Sequence, residues 1–500
     1  MITYRLDQEP WIPVKLTNGT QTEVSLSEVF RQAQEIRAIA GNPPEVAVLH
    51  RLLLAIFQRA VPLQGDDPWE EAYQQPANPL GVAAEYVTRL GPTCFDLFHP
   101  ENPFMQHPRL APGDKPMAVI LYDRAAGNNP VFLDASQEAG ATSIPSGIAA
   151  RALLVNMAFG GSHPDKSNPL SSGKENTMYA GPLCARMVVI VEGQNLAQNL
   201  LLNSLVEEKV GTAAWERQMA EHPKKSKAEG IADRYTRTTR FVRLRPSHDG
   251  RHCLSVALHM GEQIEESDEP DDPMMPLYVA KDGKFKVQRL DPERALWRSS
   301  HVLFNAQADP KNGRPARALA QLRRLASTGL IPSDQAVGLR VVGVAGNAQG
   351  PTTELWRDEV LPFSLSLVQD DAAYARLEQA VKLAHDAEEK LRKRIYRFAA
   401  RYLQAAIPNP DPKDVARLAE SLDPGHHRFW SALAPEGEKL GLAKIDPEKW
   451  QETVNAASNR AYEQAVNRIP VSGRRLQAQY LKDSTASSTK SKKASVKTPS

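Results

Sequence analysis

Between Asp371 and Ala406 the apolar residues Leu377, Val381, Ala384, Leu391, Ile395, Phe398 and Tyr402 recur close to every 3.6 residues. That spacing lays them along one face of a single long helix, and such a face has to be covered. Three more helical patterns follow. Two span Lys413 to Leu422 and His427 to Leu433, and the third opens at Asp446-Pro447 with Trp450, Val454, Ala457 and Ala461 on one side. Asp at the N-cap and Pro at the first helical position both suit a helix start. Four amphipathic helices joined by short loops predict a four-helix bundle over 361–481. From 482 to 500 the chain is Ser, Thr, Lys and Ala with almost nothing to bury, and a disordered tail is expected.

Residues 1–360 read differently, as one large mixed α/β domain with long loops, so the fold class expected for the whole chain is α+β. Ser25 and Glu28 form a capping-box pattern ahead of Val29 and Phe30. Pro44-Glu45 opens a helix whose apolar face is Val48, Leu49, Leu52, Leu53 and Ile56. Met187 to Val191 reads as a strand and Asn195 to Leu205 as a helix. Leu277 to Ala280 and Phe285 to Val287 flank Lys281-Asp282-Gly283-Lys284, a hairpin signal. The stretch from Arg124 to Pro182 is irregular and rich in Gly and Pro, with a helix at Ile148 to Met157 inside it. Glu262 to Asp272 holds seven acidic residues in eleven positions and reads as a solvated loop.

Charge does not announce a nucleic-acid partner: 61 basic residues against 59 acidic ones leave a net +2. Distribution therefore matters more than the sum. Three scattered cysteines argue against a disulfide framework and a paired-cysteine zinc site, and fit a reducing cytoplasm. The amino terminus is polar within its first nine residues, so no secretory signal is expected. The longest apolar run, Val46 to Val61, is broken by His50, Arg51, Gln58 and Arg59 and is a core helix, not a membrane span.

Enzyme motifs fail on their chemistry. Ser172-Gly173-Lys174-Glu175 lacks both the upstream glycine and the terminal hydroxyl of a phosphate loop. Val341 to Gly350 runs a strand into a Gly-rich turn, but its glycines stand three and four apart and Pro351 follows where a dinucleotide site needs a helix. The twelve histidines are scattered, and His99 and His107 read as turn residues. No catalytic residue, cofactor or metal ligand is identified; a nucleotide- or metal-dependent enzyme with an unrecognised motif stays open as the alternative, as does an adaptor that touches protein only. Basic residues do cluster, at Arg237, Arg240 and Arg243 after Lys224, Lys225 and Lys227, and at Arg317 and Arg324 near Lys311. If Phe241-Val242 and Leu244 form a strand, Arg243 and Arg245 share one face and Arg240 the other. Each group reads either as a phosphate-neutralising patch or as ordinary solvated charge.

Two short signatures narrow the choice: Glu9-Pro10-Trp11-Ile12-Pro13-Val14, and Phe95-Asp96-Leu97-Phe98 followed by Asn102-Pro103-Phe104-Met105-Gln106. In this order they resemble the start of the CasA family, the large subunit of the type I-E CRISPR surveillance complex called Cascade, and the resemblance extends over nearly the whole chain. It implies a cytoplasmic protein without enzymatic activity. Its implied partners are the other Cascade subunits and crRNA, double-stranded target DNA, and a helicase-nuclease that it helps to recruit, with no membrane. Its implied work is to recognise the protospacer-adjacent motif (PAM) and to help open the duplex into an R-loop.

The resemblance also implies site residues. Asn347-Ala348-Gln349-Gly350 looks like the family's strand-separating wedge, with Gln349 at its tip and Gly350 beside it. Phe159-Gly160-Gly161 resembles the glycine loop that approaches the PAM minor groove, where a missing Cβ lets the main chain come close. Val131-Phe132-Leu133-Asp134 resembles the start of a loop that contacts guide RNA and a neighbouring subunit, with Phe132 as anchor and Asp134 where family members often have asparagine. The region expected to hold the family's lysine finger runs into the acidic stretch, so no residue takes that role; Lys281, Lys284 and Lys286 lie further on.

Overall fold

The structure is a computed structural model that describes residues 2–121, 143–171, 173, 177–265, 271–306, 313–332, 335–346, 353–405, 407–442 and 444–469. The chain separates into two compact units, one made of Met1–Arg294 with Val302–Gln369, the other of Ala295–His301 with the chain from Asp370 onward.

The first unit is organised around the helix Pro43–Ala60, which is buried nearly all round. Its start is fixed by a capping box. Glu45 N–H donates to Asn42 Oδ1 at 3.0 Å, and Asn42 N–H donates to Glu45 Oε2 at 3.2 Å. Two prolines in the first turn cost nothing there, because those N–H groups have no partner in a helix anyway. The helices Ser146–Phe159, Ile231–Thr236 and Ala77–Cys94 pack on it.

Three small three-stranded antiparallel sheets belong to the same unit among the described residues. In the first, Ile12–Leu16 lies between Gln21–Val24 and Ile36–Ile39. In the second, His252–Met260 lies between Ile144–Pro145 and Arg240–Pro246, with Met260 opposite Arg240. In the third, Val337–Gly346 lies between Thr353–Phe363 and Met187–Glu192. The expected hairpin is present as Leu277–Val279 paired with Phe285–Val287, and Gly283 takes the positive φ its turn requires.

Both sequence signatures prove architectural. Trp11 is fully buried and its indole N–H donates to Leu6 O at 2.9 Å. The Asp96 carboxylate accepts from Thr3 Oγ1 at 2.6 Å, Tyr4 N–H at 3.0 Å and Phe98 N–H at 2.9 Å, and so ties the second signature to the amino terminus. Gln106 bridges Leu97 O and Leu244 N–H. His99 Nδ1 accepts from Asn102 N–H at 2.9 Å, and His107 Nε2 lies 3.1 Å from Ala220 O, so both histidines serve turns and packing.

The acidic stretch departs from its expected form at both ends. Glu262 is fully buried, accepting from Arg217 and Thr238 Oγ1, and Asp272 is buried against Arg51 at 2.8 Å. Each terminal carboxylate meets a guanidinium drawn from far along the chain, which is why it leaves water. Residues 266–270 lie outside the described residues.

The second unit carries the helices Asp371–Gln404, Pro412–Leu422, His427–Gly437 and Pro447–Asn467, with Asp370, Asp411 and Asp446 as side-chain N-caps on three of them. The strand Thr353–Phe363 continues past residue 360, and this unit takes up the chain at Asp370. It also takes in Ala295–His301, whose Trp297 stacks edge-on to Trp430 at 5.6 Å and Trp450 at 6.3 Å. A Cβ on Gly437 would come within 2.5 Å of the Trp297 ring, so that helix turn has to be glycine.

Beside this aromatic cluster, Glu388 accepts from Trp430 Nε1 at 3.1 Å and lies near His385 and Arg298. Burial opposes its charge, but these hydrogen bonds and cations win and hold its carboxyl down to about 2. A carboxyl depressed in the folded state stabilises above its unfolded value, 4.5 here, and that contribution disappears as pH falls toward 2. In acid titrations followed by Trp fluorescence, Glu388→Gln is therefore expected to remove part of the loss of stability between those two values. A wild-type and variant acid limb that superimpose would contradict this.

Candidate nucleic-acid interface

The helix Ser146–Phe159 ends at Gly160, and a helix end leaves carbonyls that need partners. Arg240, the first residue of the strand Arg240–Pro246, supplies them. Its Nη2 donates to Gly160 O at 3.0 Å and Gly161 O at 3.1 Å, and its Nη1 donates to Thr239 O at 3.1 Å. Gly181 N–H adds a second bond to Gly160 O at 2.8 Å. Gly160 has φ −52° and ψ 133°, so its backbone does not demand glycine. Space does: a Cβ there would lie 2.5 Å from Asn156 O and 3.0 Å from Arg240 Nη2. At Gly160 the missing side chain makes room for the protein itself, while Gly161 and Ser162 are half-buried.

The segment that follows is pinned. His163–Pro164 pairs with Thr177–Met178. Asp165 accepts from Met260 N–H at 2.7 Å, and its other oxygen lies 2.9 Å from His259 Nδ1. Burial works against the Asp165 charge, but the bonds from His259 and Met260 hold its carboxyl below the ordinary range.

The two arginine groups do not form exposed basic patches. Arg240 is fully buried and Arg237 nearly so, the latter donating to Asp233 Oδ2 at 2.5 Å and Ser226 Oγ at 2.7 Å. Strand alternation holds as expected: Arg240 points into the core, Arg243 is half-buried and Arg245 is exposed. On the helix Arg317–Ser327, Arg317 pairs with Glu208 at 2.7 Å and with Asp271, and Arg324 pairs with Asp66. These carboxylates come from distant parts of the chain, which is why run-of-charge reading overlooked them.

The expected wedge residues Asn347, Gln349 and Gly350 and the contact-loop residues Phe132, Leu133 and Asp134 lie outside the described residues. The strands that flank the wedge in sequence are described, and they are firmly held. Their register runs from Val337 opposite Phe363 to Gly346 opposite Thr353. Arg340 reaches across all three strands of the sheet, to Glu192 at 3.1 Å and Asp358 at 2.6 Å, and also donates to Ile39 O at 3.2 Å.

A model of CRISPR-associated protein Cse1 matches residues 6–468. The chain belongs to the Cse1 family. It is 29% identical over 504 residues to the CasA/Cse1 protein of Thermus thermophilus, covering 95% of both chains. The solved structure of Thermus thermophilus CasA superimposes with a TM-score of 0.78 at 25% identity, over 96% of this chain and 98% of that one. A chain of a CRISPR RNA-guided surveillance complex shares the fold with a TM-score of 0.75 at 21% identity, over 97% of this chain and 99% of that one.

One basic surface of this Cse1-family chain went unread in the sequence. Lys390, Arg392, Lys393, Arg394, Arg397 and Arg401 place six cations in twelve positions of the helix Asp371–Gln404. Arg392, Lys393 and Arg397 are exposed and line a groove of about 460 Å³ with the exposed Tyr396 and with Ala416, Ala419, Glu420 and His426 across from them. The charge run itself was the available signal; the apolar period through the same residues masked it.

Proposed function

We propose that this chain is the non-catalytic large subunit of a type I-E CRISPR Cascade complex. In this reading it recognises the PAM in duplex DNA, promotes strand opening and R-loop formation on the crRNA, and helps recruit the helicase-nuclease. The observation that carries the reading is the match to Cse1 across almost the entire chain; the likeness to a chain of an RNA-guided surveillance complex supports it. Gln349 and Gly350 separate the first base pairs, the turn at Gly160 and Gly161 meets the minor groove, and Phe132 to Asp134 contact crRNA and a neighbouring subunit. Gel shifts of the reconstituted complex with and without this chain test the reading. Omission is expected to abolish the preference for PAM-bearing over PAM-lacking duplex, and an unchanged preference would contradict it.

Sequence-independent attraction to the DNA backbone is assigned to Arg392 and Arg397, not to the buried Arg237 and Arg240, because only exposed cations release counterions on meeting phosphate. Arg392→Glu with Arg397→Glu is expected to weaken binding equally on PAM-bearing and PAM-lacking duplexes. It should also flatten the slope of log K against log salt by about 1 to 2. Salt titrations of both duplexes check this, and an unchanged slope would contradict it.

A further inference from the structure

Arg240 is an unusual cation. It is fully buried, and among the described residues no carboxylate lies within ion-pair distance of it. Its Nε has no hydrogen-bond partner. Burial pulls its guanidinium down to about 10, with Cys184 and Asp165 acting in the opposite direction, so it remains charged at neutral pH. Burying an arginine without a paired carboxylate is costly. What it receives in return is three backbone carbonyls, two of them in consecutive peptides of the glycine turn.

Those two bonds fix more than the carbonyls. No peptide bond of the described chain is cis. In a trans peptide the C=O of one residue and the N–H of the next point to opposite sides. Turning Gly160 O and Gly161 O toward Arg240 therefore turns the N–H groups of Gly161 and Ser162 away from it. Neither N–H has an acceptor among the described residues, and both residues are half-buried and reachable from outside. The turn is also stiff. One end is a helix terminus bonded to Gly181, and the other runs into the paired strand at His163–Pro164 and the anchored Asp165.

We propose that Arg240 is the positioning residue of the Gly160–Gly161 turn, holding its two carbonyls inward so that the N–H groups of Gly161 and Ser162 face out as a pair of donors to acceptor atoms on minor-groove base edges. This rests on the groove reading above. It gives that reading a chemical content: every base pair offers acceptors on the minor-groove edge, so two backbone donors read groove shape and the absence of a blocking amino group more than base identity. Lysine in place of Arg240 keeps the charge, but its single ammonium lacks the fork by which Nη2 holds the two glycine carbonyls while Nη1 is anchored on Thr239 O.

The test compares reconstituted complexes carrying wild type, Arg240→Met, Arg240→Lys and Gly161→Val, each first checked for folding and incorporation. The readout is the ratio of affinities for PAM-bearing and PAM-lacking duplex. Arg240→Met is expected to lower this ratio about tenfold, the scale of one or two charge-assisted hydrogen bonds, and to leave PAM-lacking affinity unchanged. Arg240→Lys should recover part of the loss, which a merely structural defect would not show as a change in selectivity. If Arg240→Met keeps the ratio while Gly161→Val loses it, the positioning role is overturned and the groove reading stands. If Gly161→Val keeps it too, the groove reading itself falls. Should Arg240→Met fail to fold, amide hydrogen exchange in the wild-type complex decides. Protection of Gly161 and Ser162 by PAM-bearing DNA alone supports the proposal, and no protection overturns it.

Discussion

Complexes carrying Gln349→Glu and Gly350→Glu are expected to bind a PAM-bearing duplex within about threefold of wild type and to open it about a hundredfold less, because separating the first base step costs a few kcal/mol, which an inserted wedge offsets before any heteroduplex has formed. Two carboxylates at that point meet phosphate repulsion where a neutral amide and a bare backbone would enter the stack. The arms on either side of these residues in sequence are suited to bear such a load: ten residues of the strand Val337–Gly346 pair with Thr353–Phe363, and Arg340 clamps Glu192 and Asp358 at their base. Permanganate reactivity of thymines next to the PAM reports opening, and gel shifts report binding. Wild-type reactivity in the variant would remove Gln349 and Gly350 from the wedge role.

The largest effect on stability is expected at Arg51. Its guanidinium lies 2.8 Å from Asp272 and 4.3 Å above the centre of the Tyr235 ring, with both charged side chains about 3% exposed. Burial alone would raise the Asp272 carboxyl, yet Arg51 and Arg234 hold it below its ordinary range. Arg51→Met removes the guanidinium hydrogen-bonded to that buried carboxylate, leaving the more remote Arg234, and is expected to cost about 3–5 kcal/mol, whereas replacing both partners, Arg51→Met with Asp272→Leu, should return most of it. Urea unfolding of the single and double variants separates the two cases. A single variant within about 1 kcal/mol of wild type would show that water reaches the pair, against the burial described.

What the sequence disclosed and what it withheld differ in range. Caps, periods and turns act within a few residues, and so the capping box at Ser25, the strand from Met187, the hairpin around Asp282-Gly283 and the four helices from Asp371 were all readable. Arg240 was not. In a stretch with seven other cations between Lys224 and Arg245 it looks like surface charge, and only the arrival of a helix end from some eighty residues earlier makes it a buried cap. The acidic stretch misled for the same reason, since Arg51 and Arg217 reach Asp272 and Glu262 through the fold. Trp297 likewise carries no local sign that it belongs with the helices that begin seventy residues later. Of the candidate site, the glycine turn was legible as a place, but the reason Gly160 must be glycine was legible only in three dimensions.

The most direct measurement compares a closed PAM-bearing duplex with the same target already unpaired across its first base pairs, each bound by complexes with and without this chain. If the chain works by opening DNA, omitting it should cost about a hundredfold or more on the closed duplex and only about threefold on the pre-opened one, since the unstacking energy has then been supplied beforehand. Equal losses on both targets, or no loss on the closed one, would contradict the account.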